Sequence, residues 1–565
     1  MAAGSSSNRW LWGPVPDLLL GCGLWYFVAF ELFALYGREI RFGGGLLWAP
    51  ILMMLFGVPH HGATLLRVYE SRRDRRAYAF FAVWASLLVW GAFVVGVYNA
   101  LVGSLVLTLF LTWSPWHYTG QNYGIAVMFL RRNGVELPSH VKRWLYTSFI
   151  LSYILTVVVM HHGGTGASYS AVPYDVTGYN FLSLRIPYSQ TIFLVVGTAY
   201  LVTIVVSAAL LLRRAAPGLL GPVAALVASQ ALWFSIPVAL RAWNVGTGLD
   251  PIDRNPEYYF LWIGVAHAVQ YLWVTSYYYK ASPRWQGKTR YLIKAAAAGA
   301  LVWTLPALIF APDALGRLPF DAGLAALIAA TVNLQHFILD GAIWKLRDGR
   351  VARVLIRSSG PEEAELPSAS RWGPRLVWAV GAACVAVMGV DVWESYFGVR
   401  HGLRSQDVPR VERAVDRLNW IGRDNPALRL KAGALRLRRG EQADALHHFE
   451  RAAELQPSAQ SWSAVAEAES SAGHWERASE AYETALGFAP DDAELHHRAA
   501  LVWIERDDPV RARQALERAL ALDPKRAEAR SLLRRLEREA EPTDAHTNGH
   551  ADTNPLALSR ASAGR

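Results

Sequence analysis

The chain has 565 residues, of which 53% are hydrophobic and 18% are charged, and its formal net charge is +10. The basic residues lie in short loops between apolar segments, where they mark membrane topology, and this distribution excludes nucleic-acid binding. The two cysteines, Cys22 and Cys384, exclude a disulfide framework and a cysteine-based metal site.

Apolar segments of about twenty residues recur from Trp10 to roughly Met388. Each segment is long enough to cross ~30 Å of hydrocarbon at ~1.5 Å per residue. Residues 1–395 are therefore predicted to form an all-α, polytopic bundle of about eleven transmembrane helices. The predicted spans are 15–36, 46–66, 77–99, 101–130, 144–161, 190–212, 220–240, 258–279, 291–310, 321–344 and 374–391.

Basic residues are unequally divided between alternate loops of this predicted bundle. With the N-terminus inside, the inner loops carry roughly four times as many Lys and Arg residues as the outer loops. This bias predicts insertion into the cell inner membrane with the N-terminus in the cytoplasm. Because eleven is odd, the C-terminal part is predicted to lie outside the cytoplasm.

Histidines occur inside several predicted spans, where an ionisable side chain is costly and therefore marks a candidate functional site. Five of them lie in even-numbered spans, which all run from outside to inside, at ~10 to 21 Å from the inner border. Several imidazoles with one carboxylate suit iron, zinc or copper, so we predict a metal site. The five are His60 and His61 in the second span, His117 in the fourth, His267 in the eighth and His336 in the tenth.

Polar residues follow or flank these histidines by one helical turn, on the same helix face. A metal-bound imidazole usually donates its other N–H group to an oxygen acceptor, and such neighbours supply one. An alternative is that the histidines hydrogen-bond across helices as ordinary interior residues. His161 and His162, at the outer end of the fifth span, are interpreted as interfacial. The polar neighbours are Thr64, Gln121, Gln270, Tyr271, Asn333 and Asp340.

From Arg400 onward the chain is rich in Ala, Arg, Glu and Leu and lacks a segment long enough to span a membrane. Three stretches repeat the order Ala, aromatic or Leu, Ala, Pro, at spacings of ~33 to 34 residues. They are Ala445, Phe449, Ala452, Pro457; Ala478, Tyr482, Ala485, Pro490; and Ala512, Leu516, Ala519, Pro524.

This pattern resembles the tetratricopeptide repeat family. A degenerate half repeat with Ala414, Leu418, Ile421 and Pro426 precedes it, so residues 407–540 are predicted to form an α-solenoid. The resemblance implies a concave surface for a protein partner, with a spacer or dimerisation element as the alternative. Residues 541–565 have low hydrophobicity and no periodicity, and they are predicted to be disordered.

In the membrane part, the segment GVPHHGATL is similar to the PHGA-type segment of the bacteriorhodopsin-linked carotene dioxygenases. Those polytopic membrane enzymes use intramembrane histidines to hold iron. The resemblance implies a nonheme iron oxygenase, desaturase or hydroxylase that acts on a lipid-soluble substrate. The site predicted on this basis has His60, His61, His117, His267 and His336 as metal ligands and Asp340, Tyr271 and Gln121 as catalytic residues, with Tyr123 and Gln270 beside them.

Two other functions stay open at this point. A transporter or membrane assembly scaffold would use the histidines to relay protons or to hold helices together. A lipid-linked glycosyltransferase would need an acidic catalytic residue in the first external loop, which offers only Glu39. Bound metal separates these alternatives, because only the oxidoreductase requires it.

Overall fold

The structure is a computed structural model that describes residues 9–28, 51–70, 72–161, 178–186, 190–239, 256–282, 284–345, 349–356 and 372–540. The loop with Glu39 and the tail 541–565, which is predicted to be disordered, lie outside these residues. Within the described ranges the regular elements are helices, and this confirms the all-α fold class. The chain divides into two compact units, Met1–Leu435 and Arg436–Arg565.

Long apolar helices build the first unit. In the residues that the structure describes, eight helices are long and apolar enough to cross a membrane, and they coincide with the third to seventh and ninth to eleventh predicted spans. Together with two further helices, α1 and α7, the eight are numbered in chain order as α1 Val58–Tyr69, α2 Phe80–Tyr98, α3 Ala100–Arg132, α4 Ser139–Met160, α5 Gln190–Leu212, α6 Pro217–Ala239, α7 Pro256–Lys280, α8 Lys288–Ile309, α9 Leu324–Ile343 and α10 Arg375–Ser405.

Three of the predicted spans need separate mention. The span predicted at 258–279 forms α7. The span predicted at 46–66 contains α1, which follows a π-helical stretch at Met53–Gly57. Parts of the spans predicted at 15–36 and 46–66 fall outside the described residues. Short helices at Pro14–Pro16, Asp17–Gly21, Arg72–Ala77, Phe320–Ala322 and Gly349–Leu355 complete this unit's membrane part.

Helix α1 lies in the bundle interior, in contact with α7, α8 and α9. Its crossing with α8 is unusually close, because two glycines meet there. A Cβ atom on Gly62 would overlap the carbonyl oxygen of Ala295, and one on Gly299 would overlap that of Val58. Small residues allow such backbone approach between membrane helices. This contact fixes the depth and rotation of the segment that carries His60 and His61.

Helix α3 is the second central element, and it contacts α2, α4, α6 and α9. Side-chain amides connect it to its neighbours within the core. Asn122 donates to Oε1 of Gln230 on α6 over 2.9 Å, and Gln270 on α7 donates to Oδ1 of Asn122 over 3.1 Å. Hydrogen bonds between membrane helices stabilise one packing arrangement over others. The amides therefore hold α3 and α7 at a fixed separation beside the histidines.

After the last long helix, the chain continues into α11 Val408–Trp420 and α12 Pro426–Leu437. Helix α11 packs against the π-helical stretch Glu394–Arg400 at the end of α10. The half repeat predicted around Ala414 and Leu418 thus belongs to the first compact unit. The second unit begins at Arg436, later than the predicted domain start at 407, because α11 buries its apolar face against α10.

The second unit is a succession of helices that pack each against the next. The motif residues are buried as the repeat pattern requires, with Ala445, Ala478 and Ala512 fully inaccessible. Each motif helix ends two residues before the proline of its motif, because proline cannot donate to the helical ladder. The helices are α13 Gln442–Leu455, α14 Ala459–Ser471, α15 Trp475–Phe488, α16 Ala493–Glu505, α17 Pro509–Leu522 and α18 Ala527–Ala540.

Candidate functional site

Four helices of the membrane part each bring one histidine to a common point in the first unit. Helices α1, α3, α7 and α9 supply His60, His117, His267 and His336, respectively. All four imidazoles are enclosed, and the most exposed, His117, keeps only 10% of its side-chain surface accessible. The second, fourth, eighth and tenth predicted spans therefore share one interior.

The distances between the rings define the cluster. The ring centroid of His336 lies 4.2 Å from that of His60, 4.9 Å from that of His117 and 6.2 Å from that of His267. The His267 centroid is 4.8 Å from His60 and 4.9 Å from His117. Imidazoles at these separations can direct nitrogen atoms toward a shared ion.

The potential ligand atoms fall into two overlapping groups. One group joins His60, His267 and His336, and the other joins His117, His336 and Asp340. Within each group the ligand atoms lie within 4.8 Å of one another. His336 belongs to both groups, so the two describe one continuous constellation of four imidazoles and one carboxylate.

Several ring nitrogens in this cluster lack a hydrogen-bond partner among the residues that the structure describes. They are Nε2 of His60, His117 and His336, and both nitrogens of His267. Burying a polar atom without a partner costs ~1 to 3 kcal/mol. The accumulation of such atoms at one point suits a metal ion, because each neutral imidazole offers one nitrogen with a free lone pair as a ligand. The donor set therefore fits a transition metal.

A chain of hydrogen bonds fixes His336 and Asp340. The Thr64 hydroxyl donates to Oδ1 of Asp340 over 3.0 Å, so its oxygen accepts from Nδ1–H of His336 at 2.9 Å. This arrangement sets the tautomer of His336 and leaves Nε2 with its lone pair toward the cluster. Oxygen acceptors behind metal-bound imidazoles play this role. The sequence pattern paired Thr64 with His60, whereas the structure pairs it with residues of α9.

Tyr271 and Trp344 extend the same chain. The Tyr271 hydroxyl donates to Oδ1 of Asp340 over 2.6 Å, and the indole N–H of Trp344 donates to the Tyr271 oxygen over 3.0 Å. With Oδ1 occupied, Asp340 presents Oδ2 to the cluster, 3.5 Å from Nε2 of His336 and 3.8 Å from Nε2 of His117. Tyr271 thus contacts the carboxylate of Asp340. Trp344 also belongs to this hydrogen-bond chain, although the sequence did not indicate it.

Aromatic rings orient two of the histidines. Phe337 stacks on His117 with centroids 4.3 Å apart and an angle of 25° between planes. Tyr118 lies 4.3 Å from His267 at an angle of 32°. Such stacking restrains the ring planes and supplies the dry surroundings of the cluster. Tyr118 directly follows His117 in the sequence, and Phe337 directly follows His336. Helical periodicity alone does not distinguish either aromatic residue from an ordinary core residue.

His61 lies beside the cluster but has its own partners. Its Nδ1 is 2.7 Å from the carbonyl oxygen of Gly57, and its Nε2 is 3.2 Å from Oδ1 of Asn333. The predicted group of five histidines therefore separates into four with available nitrogens and one that is engaged on both sides.

Gln121 lines the same cavity as His117, but its amide bonds to groups other than the imidazole rings. Its amide donates to Oε1 of Gln270, and Gln270 donates to the carbonyl oxygen of Gly21 over 2.8 Å. These amides belong to the network that includes Asn122 and Gln230. Tyr123 packs against Phe149 at a centroid distance of 5.8 Å, away from the cluster. Gln121 and Gln270 consequently brace helices around the site.

His161 occupies a separate position at the end of α4. Its Nε2 lies 2.9 Å from the Thr112 hydroxyl, and its Nδ1 accepts from the backbone N–H of Leu184 over 3.1 Å. The ring is buried and lies 4.9 Å from that of Phe181, so it anchors the segment 178–186 to α3 and α4. His162 lies outside the described residues.

A cavity of about 320 Å³ adjoins the cluster between α3 and α9. His117 and Asp340 line it, together with Tyr271 and a largely apolar and aromatic wall. Ligand pockets of this kind are mostly apolar with a few convergent polar groups. The cavity therefore gives a small apolar molecule access to the face of the cluster formed by His117 and Asp340. The remaining wall residues include Trp113, Trp116, Met128, Val274, Phe337 and Trp344.

Comparison with known proteins bears on the second unit. Residues 470–536 match the tetratricopeptide repeat family, in agreement with the motifs around Tyr482 and Leu516. Repeats of this family present surfaces for other proteins, so the match implies protein–protein interaction. No curated protein matches the chain. The comparisons thus do not support the similarity of the segment Gly57–Leu65 to carotene dioxygenases, and they identify residues 470–536 as tetratricopeptide repeat sequence.

Proposed function

We propose that the histidine cluster binds a transition metal ion, iron in the first instance, and that the protein is a membrane oxidoreductase of the oxygenase, desaturase or hydroxylase class. Its substrate would be a lipid-soluble molecule that occupies the cavity beside His117 and Asp340. The observation that carries this proposal is the set of buried, unpartnered ring nitrogens on four separate helices.

A purely structural role for the histidines explains these nitrogens poorly. An assembly scaffold gains stability when interior polar atoms bond across helices, as Asn122 and Gln230 do. The cluster instead leaves the Nε2 atoms of all four histidines without hydrogen-bond partners among the described residues, at ~1 to 3 kcal/mol each. A protein retains such a cost where another ligand offsets it. Metal coordination is the interaction that imidazole and carboxylate atoms have in common.

The proposed ligands are His60, His117, His267 and His336, with Oδ2 of Asp340 as a fifth donor. His61 is left out of the set because both of its ring nitrogens have protein partners. When bound, the metal would supply the redox chemistry that oxidation of an unactivated carbon requires.

The surrounding residues would hold this set in place and keep water away. Thr64 fixes His336 and Asp340 together, and the Tyr271 hydroxyl donates to the same Oδ1 atom of Asp340. Phe337 and Tyr118 cover two imidazole faces. The chain thereby provides a preorganised, apolar site in which ligand geometry changes little on loading.

Metal analysis of the purified full-length protein tests the proposal. We expect about one bound ion per chain and its loss in His267→Ala, because both nitrogens of His267 are free of protein partners. His161→Ala is the matched control, since that buried histidine lies on another helix with its own hydrogen bonds. Metal-free wild-type protein that cannot be loaded would favour the transporter or assembly scaffold.

For the second unit we propose a protein partner that binds the repeats, with insertion of the membrane part into the inner membrane. The family match at residues 470–536 supports the first statement, and the basic bias of alternate loops supports the second. Affinity purification with and without residues 436–540, from the same membranes, tests the repeat role. A partner that persists without the repeats would contradict it.

A further inference from the structure

The cavity beside the cluster has a directional shape. Its wall on α3 consists of one stripe that returns every three or four residues from Trp113 to Met128. This is the spacing of a single helix face. Fifteen positions at ~1.5 Å each make the stripe ~22 Å long. The cavity is therefore a groove that follows α3, with Val351 and Leu355 at the Met128 end. Its outline matches an elongated molecule better than a compact one.

The chemistry of the wall identifies the class of molecule. Among the described residues that line the groove, Asp340 alone carries a carboxylate and none is a lysine or an arginine. Most of the remainder is glycine, aliphatic or aromatic, including the indole rings of Trp113, Trp116 and Trp344, and the other polar lining residues, His117, Gln121 and Tyr271, are not acidic. Such a wall offers no lysine or arginine to an anionic headgroup. An apolar chain is the complementary ligand.

Glycines form the open side of the groove. Gly120, Gly124 and Gly341 line it, and a Cβ atom added to any of them would meet nothing within 4 Å. Trp113 and Trp116 beside them are each 38% exposed, and Leu109 on the same helix is 56% exposed. An apolar, exposed helix surface in a membrane-spanning region faces lipid. The glycine side is thus an opening through which a chain can move sideways from the bilayer.

The cluster divides the groove into unequal limbs. His117 lies four positions from Trp113 and eleven from Met128, which correspond to ~6 Å and ~17 Å along α3. Gly120 and Gly124 both lie on the longer limb. We propose that the groove takes one elongated apolar chain from the bilayer and that these glycines, with Gly341, determine the length of chain that extends from His117 toward Met128. The position along the chain that would react depends on the proposed metal site beside His117, whereas binding of the chain in the groove does not depend on it.

Photolabelling of the full-length protein in lipid nanodiscs tests this inference. The probes are hexadecanol and decanol, each with a diazirine at the chain end. We expect both probes to label α3 and α9 peptides in the wild type. Gly124→Leu should reduce labelling by the hexadecanol probe about tenfold, because the added side chain would occupy space on the longer limb, and it should spare the decanol probe. Gly341→Leu provides a second variant at the opposite wall, and it should show the same preference.

Gly221→Leu is the matched control, because Gly221 is an exposed glycine of α6 whose added Cβ also meets nothing within 4 Å. Metal content and melting temperature are measured in every sample, and the melting temperature reports that the variants fold. Labelling spread evenly over lipid-facing helices, or equal loss of both probes in both groove variants, would overturn the groove even with metal bound. Chain-length-selective labelling in metal-free protein would support the groove and overturn the proposed oxidoreductase.

Discussion

The hydroxyl oxygen of Thr64 lies 2.9 Å from Nδ1 of His336, across the interface between α1 and α9. The same hydroxyl donates to Asp340, so one small side chain orients two of the proposed ligands. We expect Thr64→Val to lower metal affinity by about 10- to 100-fold, the range typical of outer-sphere partners. Thr64→Ser keeps the hydroxyl and should restore most of the affinity. Equal affinities for the valine and serine variants, measured by competition with a chelator, would contradict this assignment.

Two adjacent histidines offer a sharper comparison. Nε2 of His60 has no partner in the described structure, whereas both nitrogens of His61 are engaged by Gly57 and Asn333. We therefore expect His60→Ala to lose bound metal and His61→Ala to keep the wild-type stoichiometry. His61→Ala should instead lower thermal stability, because Asn333 loses a buried partner. The measurement is metal content per chain alongside the melting temperature of each variant. A reversed order of metal loss would mean that the ligand assignment is wrong.

The repeat unit allows a stability prediction on one helix. Tyr482 is 4% exposed in α15, whereas Phe488 at the end of the same helix is 53% exposed. Tyr482→Ala should lower the free energy of unfolding of the repeats by ~3 kcal/mol or more, as for other buried aromatics. Phe488→Ala should change it by less than ~0.5 kcal/mol, as is usual for surface positions. Denaturant dependence of hydrogen exchange in α15 and α16 of the full-length protein gives both values. Comparable effects of the two changes would refute the assigned repeat register.

Acid should weaken the repeats through Glu494. Hydrogen bonds from Arg498 and Arg526 lower the pKa of this carboxyl from 4.5 to about 2. Because the folded-state pKa is the lower one, the stabilisation is complete above about pH 5 and is lost as the pH falls toward 2. Its size is small because the side chain is 46% exposed and solvent screens the pairs.

The test of this pH dependence compares the wild type with Glu494→Gln. Full-length protein is equilibrated with denaturant at several pH values between about 5 and 2, and it is then pulse-labelled with deuterium at one common pH. The amide in place of the carboxylate should flatten the wild-type decline. A decline of identical slope in the variant would assign the acid sensitivity to other carboxylates.

The predicted membrane topology gives a prediction that does not depend on metal binding. Eleven spans with the N-terminus inside put the repeats outside the cytoplasm. A reporter fused after residue 541 should then be active only on the outer side of the inner membrane. The same reporter after residue 345, in a predicted inner loop rich in Lys and Arg, serves as the control. A cytoplasmic signal from the first fusion would show that one span has been miscounted.

The depth and direction of the spans carried most of what the sequence could predict of the site. Four histidines at compatible depth on like-directed helices meet within ring distances of 4.2 to 6.2 Å. The sequence could not distinguish His60 from His61, because adjacent side chains on a helix differ only in direction, and direction depends on which helices are neighbours. That choice follows from the contact of Gly62 with α8, which involves residues far apart in the chain.

The sequence also could not predict which hydrogen-bond partners lie on neighbouring helices. Helical spacing assigned Thr64 to His60 and Gln121 to His117, yet Thr64 bonds to α9 and Gln121 bonds to Gln270 on α7. Same-face spacing identifies side chains that are available to each other, but in a crowded bundle a neighbouring helix often offers a better-placed acceptor. Trp344 was missed for a related reason. A tryptophan at the end of an apolar span is typical of the interfacial belt, and nothing local indicates its bond to Tyr271.

The wide separation of the cluster's members along the chain has a consequence for biosynthesis. His60 belongs to one of the first helices to leave the ribosome. His336 follows it 276 residues later, a separation of nearly half of the chain length. Until α9 inserts, Thr64 has neither His336 nor Asp340 as a hydrogen-bond partner. During that time His60, His117 and His267 lack their contacts with His336. Capture of the proposed metal would thus follow the insertion of α9, and a nascent chain that stops before Leu324 presents only part of the donor set.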